Sequence, residues 1–486
     1  MKRLAYRVLV LFLLVISLSI TSFSGTTFAK DTSSYIVVFK DNQIPTEVKS
    51  FLRNNYPLLK TTLISEIGTI KLEKANNHTQ NQAIKELKDK FGDKIKYISK
   101  ENRLDIPIDV RNKKNNILTK NFTYTKNKNL LFRNNSTNEV ETGELSKVLG
   151  WDTDKITEQG RSYVKQSGNH TIKIALIDSG IDFDHPDLKN NILSKGKSFV
   201  PNVTNTDDHM GHGTMTAGTI AANGKMLGVG PNLGIIPYKV MDNWIDGAES
   251  AWVIEAILAA ANDKVDVINL SLGTYKSLSK EEDSAIIEGY ARALKYAHKK
   301  GCIVVASAGN EGYDTSNPSK LATQMGLEGD KQIHLPGSSS NYLINVSATD
   351  KNDNLSSYSN FGGITVAAPG GDYGENWEVN GIDPSELILV AYPTNLPQPY
   401  ISEVLNLPRG YTLSAGTSLA APKISGAVGV LLAESKERGT HNFSINKIDK
   451  ILRKSSVDLD PKGKDSQFGY GRLNLNRAID FVYYER

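Results

Sequence analysis

The chain has 486 residues, 39% of them hydrophobic and 23% charged, with 39 Gly and 17 Pro. That composition excludes a collagenous, coiled-coil or largely disordered chain and is enough for about two to four domains with a large core. The net charge of +4 divides unevenly: +3 over residues 1–29, +8 over 30–150 (22 basic, 14 acidic) and −7 over 151–486 (32 basic, 39 acidic). A nucleic-acid binder concentrates positive charge on its folded domain, and here the larger part is acidic.

Lys2, Arg3 and Arg7 precede an apolar stretch from Val8 to about Ile20, and Thr27-Phe28-Ala29 supplies small residues at a cleavage position. This is the layout of a signal peptide over 1–29, too short in its apolar run for a membrane anchor, and it predicts an exported, soluble protein. Residues 35–109 read as a small α+β unit in the order β-α-β-β-α-β, from Tyr35-Ile36-Val37-Val38-Phe39, through helical spacing at 48–56 and 82–91, to Ile95–Ile98. Residues 110–145 are rich in Asn and Lys, as in Arg111-Asn112-Lys113-Lys114-Asn115-Asn116, and predict an exposed, protease-sensitive linker.

From residue 146 onward strand and helix signals alternate. Ile172–Ile177, Val265–Leu270 and Ile303–Ala306 are nearly continuous apolar runs, with weaker copies at Leu343–Val346 and Thr365–Ala367. Such runs predict a parallel sheet covered on both faces by helices, among them 251–261 and 288–299. Cys302, the single cysteine, falls in one of these strands and reads as a buried core thiol, which excludes an internal disulfide framework.

Sites of parallel sheets gather beyond the carboxyl ends of strands, and Asp178 stands there in Ile177-Asp178-Ser179-Gly180. Gly211-His212-Gly213-Thr214 opens a helix of small residues, and Gly416-Thr417-Ser418-Leu419-Ala420-Ala421-Pro422 opens an apolar one. A serine hydroxyl becomes nucleophilic when an imidazole takes its proton, and a carboxylate fixes the imidazole's tautomer. Ser418 at a helix start would also have amide N–H groups near a developing oxyanion, and Asn310, in Ser307-Ala308-Gly309-Asn310, could add a second donor.

The order Asp178, His212, Ser418 inside DSG, GHGT and GTSLAAP resembles the subtilisin-like serine proteases, supported by Ser271-Leu272-Gly273 after VDVINL, by AGNEG at 308–312 and by FGYGRLNL at 468–475. The resemblance spans 146–480 and implies an α/β subtilisin-like domain of parallel sheet flanked by helices over 146–486. It implies that Asp178 orients His212, that His212 serves as base and then acid, and that Ser418 attacks the scissile carbonyl. Asn310 and the Ser418 amide would form the oxyanion hole, while Ser271, Leu272, Gly273, Ser307, Ala308 and Gly309 would bind substrate backbone and line the specificity pocket. Leu419 stands where the family usually has Met, a volume-conserving change. Residues 30–109 are similar to the inhibitory, folding-assisting, ferredoxin-like propeptides of the family, which places activation cleavage in the linker and makes the propeptide an intramolecular partner of the acidic domain.

Catalysis of this kind implies no cofactor. Structural calcium is common in the family, and Asp187 matches a ligand position, with Asp182 and Asp184 nearby; the loop that would complete the site is shortened to Asn223-Gly224-Lys225-Met226, and a solvated acidic loop is the equal alternative. The remaining histidines, His78, His170, His185, His298, His334 and His441, default to surface roles. Asp242 and Asp246, in VMDNWIDGAES, fall in a stretch that borders the substrate cleft in this family, and with the acidic residues of 371–409 they predict a basic, Arg-bearing substrate. Size, export signal, Asn/Lys-rich prosegment and absence of disulfides are most similar to the lantibiotic leader peptidases of Gram-positive bacteria, which commonly cut after Arg. Arg133 is then a candidate self-processing site, with Asn134 as the mature N-terminus. The alternatives are a broad-specificity secreted subtilisin for nutrition or virulence and a non-catalytic binding protein of the same fold. A monomer without stable membrane attachment is the default.

Overall fold

The computed structural model of the chain describes residues 34–73, 77–101, 103–104, 142–243, 247–439, 444–459 and 461–484. The signal peptide, Arg133, Asp246, His441 and nearly all of the expected linker lie outside these residues.

The first strand, β1 (Tyr35–Phe39), is apolar at consecutive positions because both of its faces are covered. Val37 and Phe39 point into the N-terminal unit's own core, with α1 (Thr46–Asn55) and α2 (Asn77–Phe91). Ile36 and Val38 point the other way and join the core built around the helices of the larger domain. The unit's sheet has the antiparallel order β2-β3-β1-β4, where β2 is Lys60–Ile64, β3 is Thr69–Glu73 and β4 is Ile95–Lys100. This is the expected β-α-β-β-α-β unit, with its two middle strands separated by a tight turn at Gly68. The backbone there is left-handed (φ 58°), and a Cβ would lie 2.2 Å from the Asn42 carbonyl carbon.

After Glu101 the chain continues as β5 (Arg103–Leu104), which pairs antiparallel with residues of the larger domain, Arg103 opposite Glu249 and Leu104 opposite Ala248. Ion pairs cross the same boundary, Lys71 to Glu249 at 3.3 Å and Lys96 to Glu288 at 2.9 Å. In both the cation belongs to the basic N-terminal unit and the carboxylate to the acidic domain, so the charge asymmetry of the sequence has a counterpart in contact.

The larger domain is built on a seven-stranded parallel sheet of order β15-β14-β12-β10-β6-β8-β7. The strands are β6 (Lys173–Asp178), β7 (Lys197–Ser198), β8 (Gly234–Lys239), β10 (Val267–Leu270), β12 (Ile303–Ser307), β14 (Leu343–Thr349) and β15 (Val366–Pro369). The helix α3 (His212–Ala221) lies between β7 and β8, and α4 (Ser250–Asn262) carries the chain back from β8 to β10 on the other side of β6. The direction of winding therefore reverses at β6, and the crevice of such a sheet opens at the carboxyl ends of the strands at that point. Asp178, the last residue of β6, stands at this opening.

One face of the sheet packs on α4 and α5 (Glu281–Lys299), the other on α3, α6 (Thr417–Glu437), α7 (Ile445–Ser455) and α8 (Leu475–Tyr484). From Thr417 to Ser435 every residue of α6 is buried, which its nearly uniform apolar sequence requires. The two charged exceptions are handled locally: Lys423 forms a buried ion pair with Asp152 at 2.8 Å, and Glu434 pairs with Arg438. The region 371–409 contains an unforeseen strand, β16 (Ile388–Ala391), which pairs antiparallel with β17 (Tyr411–Ser414) next to α3.

Cys302 is buried at the start of β12, its thiol donates to the Val265 carbonyl at 3.1 Å, and burial pushes its pKa up to about 12. It is a core thiol, inert as a nucleophile.

Candidate active site

Asp178 is fully buried, and His212 opens α3 directly opposite it. The imidazole Nδ1 lies 2.8 and 3.0 Å from the two carboxylate oxygens of Asp178, so Nδ1–H donates and the tautomer leaves the Nε2 lone pair free. The Ser179 amide and the Thr216 hydroxyl also donate to Asp178, at 2.7 and 3.3 Å. His212 Nε2 is buried and has no hydrogen-bond partner, an arrangement that is costly for structure and useful for a base. Gly213 permits the close packing: a Cβ there would sit 1.9 Å from the Gly180 carbonyl oxygen.

Ser418 is the second residue of α6 and is 6% exposed. The first turns of α3 and α6 meet through an apolar cluster of Met215, Leu419, Ile388 and Val390, which places the residue after Ser418 against the residue one turn beyond His212. Leu419 in the place of Met fills that cluster. On the other side of Ser418, a Cβ on Gly416 would come 3.0 Å from Ser418 Oγ and 3.8 Å from Asn310 Nδ2, so the hydroxyl and the amide flank one open position. Asn310 is turned toward it by Thr417, whose amide and hydroxyl donate to Asn310 Oδ1 at 2.9 and 2.7 Å. With Oδ1 occupied by donors, Nδ2 must face outward, as an oxyanion donor requires.

Ser271, Leu272 and Gly273 follow β10, and Ser307, Ala308 and Gly309 end and follow β12, on the neighbouring strand at the same edge. Between them lies His334, contributed by β13 (Gln332–Leu335), with Nε2 2.3 Å from where a Gly273 Cβ would be. His334 is buried, which corrects its surface assignment, and burial lowers its pKa to about 4, so it is neutral near pH 7. His185 is likewise buried, with Nε2 donating to the Gly410 carbonyl at 2.8 Å.

Two acidic expectations are corrected. Asp242 has no exposed surface: it pairs with the buried Lys239 at 3.0 Å and lies 3.3 Å from His209 Nδ1. Its charge is neutralised in place and offers no free field to a substrate. Asp187 is neither a solvated acid nor a fit for calcium. The shortened loop turns its amides toward the carboxylate, Lys225 N–H at 3.1 Å to one oxygen and Met226 N–H at 2.8 Å to the other. Donors occupy the directions a cation would need. Among the described residues no group of three or more His, Cys, Asp or Glu side chains converges as a metal site.

Three residues that the sequence reading passed over organise the site. Asp208 bonds the loop before His212, Thr417 orients Asn310, and the buried Asn360 ties the loop after Asn310 through the Ala308 carbonyl and the Glu311 and Tyr313 amides. Asp208 had a legible signal, an Asx residue three before Gly211 at a helix start. Asn360 is too far away in sequence to have had one.

The model of the Subtilase family matches residues 169–471, well over half of the chain. This chain belongs to the subtilase family. The subtilase is 28% identical over 360 residues to the epidermin leader peptide-processing serine protease of Staphylococcus epidermidis, which spans 68% of this chain and 73% of that one. It is 30% identical over 383 residues to the nisin leader peptide-processing serine protease of Lactococcus lactis subsp. lactis, covering 69% of this chain and 54% of that one. Among solved structures it is similar to the epidermin leader peptide processing serine protease from Staphylococcus aureus, with a TM-score of 0.69, 28% identity, and coverage of 93% of this chain and 98% of that one. The fold is subtilisin-like, and the protein is a serine endopeptidase acting on peptide substrates without a catalytic cofactor. Among the described residues no helix is long and apolar enough to cross a membrane.

Proposed function

We propose that this subtilase is an exported processing protease that removes the leader from a lantibiotic precursor, using Asp178, His212 and Ser418. The observation that carries this reading is the similarity to leader-processing proteases, over 93% of the chain for the Staphylococcus aureus structure and over 68% and 69% of it for the two sequence relatives. In this mechanism His212 Nε2 takes the Ser418 hydroxyl proton as Oγ attacks the carbonyl carbon. The oxyanion is met by Asn310 Nδ2 and the Ser418 amide, and His212 returns the proton to the leaving amine. Water then repeats the sequence on the acyl-enzyme. Asp178 stays ionised and stabilises the imidazolium. The segments 271–273 and 307–309 hold substrate backbone and line the specificity pocket.

Cleavage follows Arg in this reading. With Asp242 neutralised by Lys239, support for that preference rests on Asp246 and on the acidic stretch with Asp372, Glu375, Glu378, Asp383 and Glu386. The deciding measurement is mass spectrometry of products from a mixed peptide library, with Ser418→Ala as blank. Cuts confined to bonds after Arg are expected, along with a mature N-terminus at Asn134. Scattered cuts after apolar residues would make this a broad-specificity secreted protease instead.

The N-terminal unit acts as an inhibitory propeptide on a monomeric enzyme. Support comes from β5, which adds a strand along Ala248–Glu249 at the edge of the site, and from Glu101, whose Oε1 accepts the Ala251 amide at the start of α4 at 2.8 Å. Glu101 is buried and its Oε2 has no partner. Burial, reinforced by Glu249, pushes its pKa up to about 8 against the opposing pull of the Ala251 amide, Lys276 and Lys71. A carboxyl group raised in the associated state favours association most fully below its ordinary range near 4.5, and that contribution is lost as pH rises through about 8. Inhibition of the processed enzyme by its own N-terminal unit is therefore expected to weaken as pH rises from about 4.5 to about 8 and to level off above that. Glu101→Gln should flatten that dependence relative to the parent when inhibition is measured across pH; an equally steep dependence in the variant would refute the assignment.

A further inference from the structure

A second carboxylate, Asp208, lies behind the candidate dyad and is 1% exposed. It accepts five hydrogen bonds: at Oδ1 from the Ser179 hydroxyl (2.8 Å), Met210 N–H (3.0 Å) and Gly211 N–H (2.8 Å), and at Oδ2 from Thr214 N–H (2.8 Å) and the Thr214 hydroxyl (2.7 Å). The amides of Gly211 and Thr214 bracket His212. Ser179 follows Asp178, and its hydroxyl also accepts the Gly213 amide at 2.9 Å. One buried anion thus ties the strand end that carries Asp178 to the helix start that carries His212.

We propose that Asp208 is a positioning residue for catalysis, holding His212 against Asp178 through Ser179 and the first turn of α3. This rests on the triad assigned above. A fold that needed only to close this turn could do so with fewer bonds and a neutral side chain. A buried carboxylate whose two oxygens face only donors is ionised, and the Thr214 hydroxyl and amide with the Gly211 and Met210 amides outweigh burial and hold its pKa below the usual range. The other charged groups around it are accounted for. Lys239 donates to the Ser179 and Asp207 carbonyls and pairs with Asp242, which His209 also faces. Asp182 donates its amide to the Thr214 hydroxyl and turns its carboxylate to Thr394. Asp208 is thus a second anion, bonded to the amides that flank His212 in the chain, and together with Asp178 it favours the imidazolium formed during turnover.

Asp208→Asn keeps the shape but sets an amide N–H₂ against the Thr214 N–H, two donors face to face, and removes the charge. Displacement of His212 should lower kcat about tenfold to a hundredfold, with KM on a peptide substrate within about twofold of the parent. The acid limb of the pH profile of kcat/KM should move to lower pH, because the imidazolium loses a neighbouring anion. A merely structural role would lower stability and leave that limb in place. Ser179→Ala provides a second variant if Asp208→Asn fails to fold: it keeps the charge but cuts the link, and should lower kcat several-fold with the acid limb unmoved. Parent-like kcat in Ser179→Ala, or parent-like kcat and acid limb in Asp208→Asn, would overturn the proposal. If Ser418→Ala is inactive while both variants match the parent, this inference fails alone; if Ser418→Ala still turns over, the triad reading fails first.

Discussion

Ser418→Ala is expected to lower kcat about a millionfold at unchanged KM, a magnitude that belongs to a related subtilisin and is carried over to this chain. The physical basis lies in the division of labour at the site. The His212 Nε2 lone pair is buried without a partner, as the proposed general base requires, and Ser418 is the hydroxyl beside the open position at Gly416. Remove Oγ and no acyl-enzyme forms, while the backbone segments still bind substrate. The side chain lost is small and sits on a helix that is buried along most of its length, so the thermal unfolding midpoint should be unchanged within error. Single-turnover assays with a fluorogenic peptide, together with a melting curve, would check both halves. Activity retained in this variant would remove the serine mechanism from the protein altogether.

Loss of the Asn310 amide is the second large effect. Asn310→Ala should lower kcat about a hundred- to a thousandfold, or about 3–4 kcal/mol of transition-state stabilisation, again a value known from a subtilisin. KM should barely change, because the amide meets the oxygen only after it has moved out of the carbonyl plane and become charged. Thr417→Val is the informative companion. It removes the hydroxyl that donates to Asn310 Oδ1 at 2.7 Å and leaves the Thr417 amide bond at 2.9 Å, so Asn310 keeps one of its two anchors. A smaller loss in kcat is expected, and little further loss when Thr417→Val is added to Asn310→Ala, because the hydroxyl acts through the amide. Steady-state kinetics of the three variants would test this; fully additive effects would mean that Thr417 acts by another route.

Much of this protein was legible in its residues because strong signals are local. The strands 172–177 and 303–306 are unbroken apolar runs, and only a parallel sheet covered on both faces buries such runs completely. β8 escaped notice because Pro237 interrupts its pattern, yet it pairs over its full length with β6 and at its last two residues with β7. The stretch 281–287 of α5 was missed because it opens on three acidic residues, Glu281, Glu282 and Asp283, which are placed favourably for the helix dipole. β16 was hidden inside an acidic region that reads as an insertion; its four apolar residues are too short to separate from loop without β17 as partner.

The charged residues divide along a similar line. Asp178, His212, Ser418 and Asn310 were found because each lies in a short motif whose backbone geometry, a strand end or a helix start, is set within a few residues. Asp242 and Asp187 were misjudged because the fate of a carboxylate depends on what faces it. Lys239, three residues back but on the same buried edge, neutralises the first, and amides from a loop 38 and 39 positions away satisfy the second. His185 and His334 followed the same course, as isolated polar letters in sequence and buried rings in space. The amino-acid sequence by itself determined the main alternation of strands and helices, the motifs that carry the candidate reactive groups and the family, since those follow from periodicity and contiguous motifs. The tertiary structure alone decided which charges are free, which are cancelled and which hold the reactive groups in line, because electrostatic energy and hydrogen-bond satisfaction depend on distances between segments that the linear order does not contain.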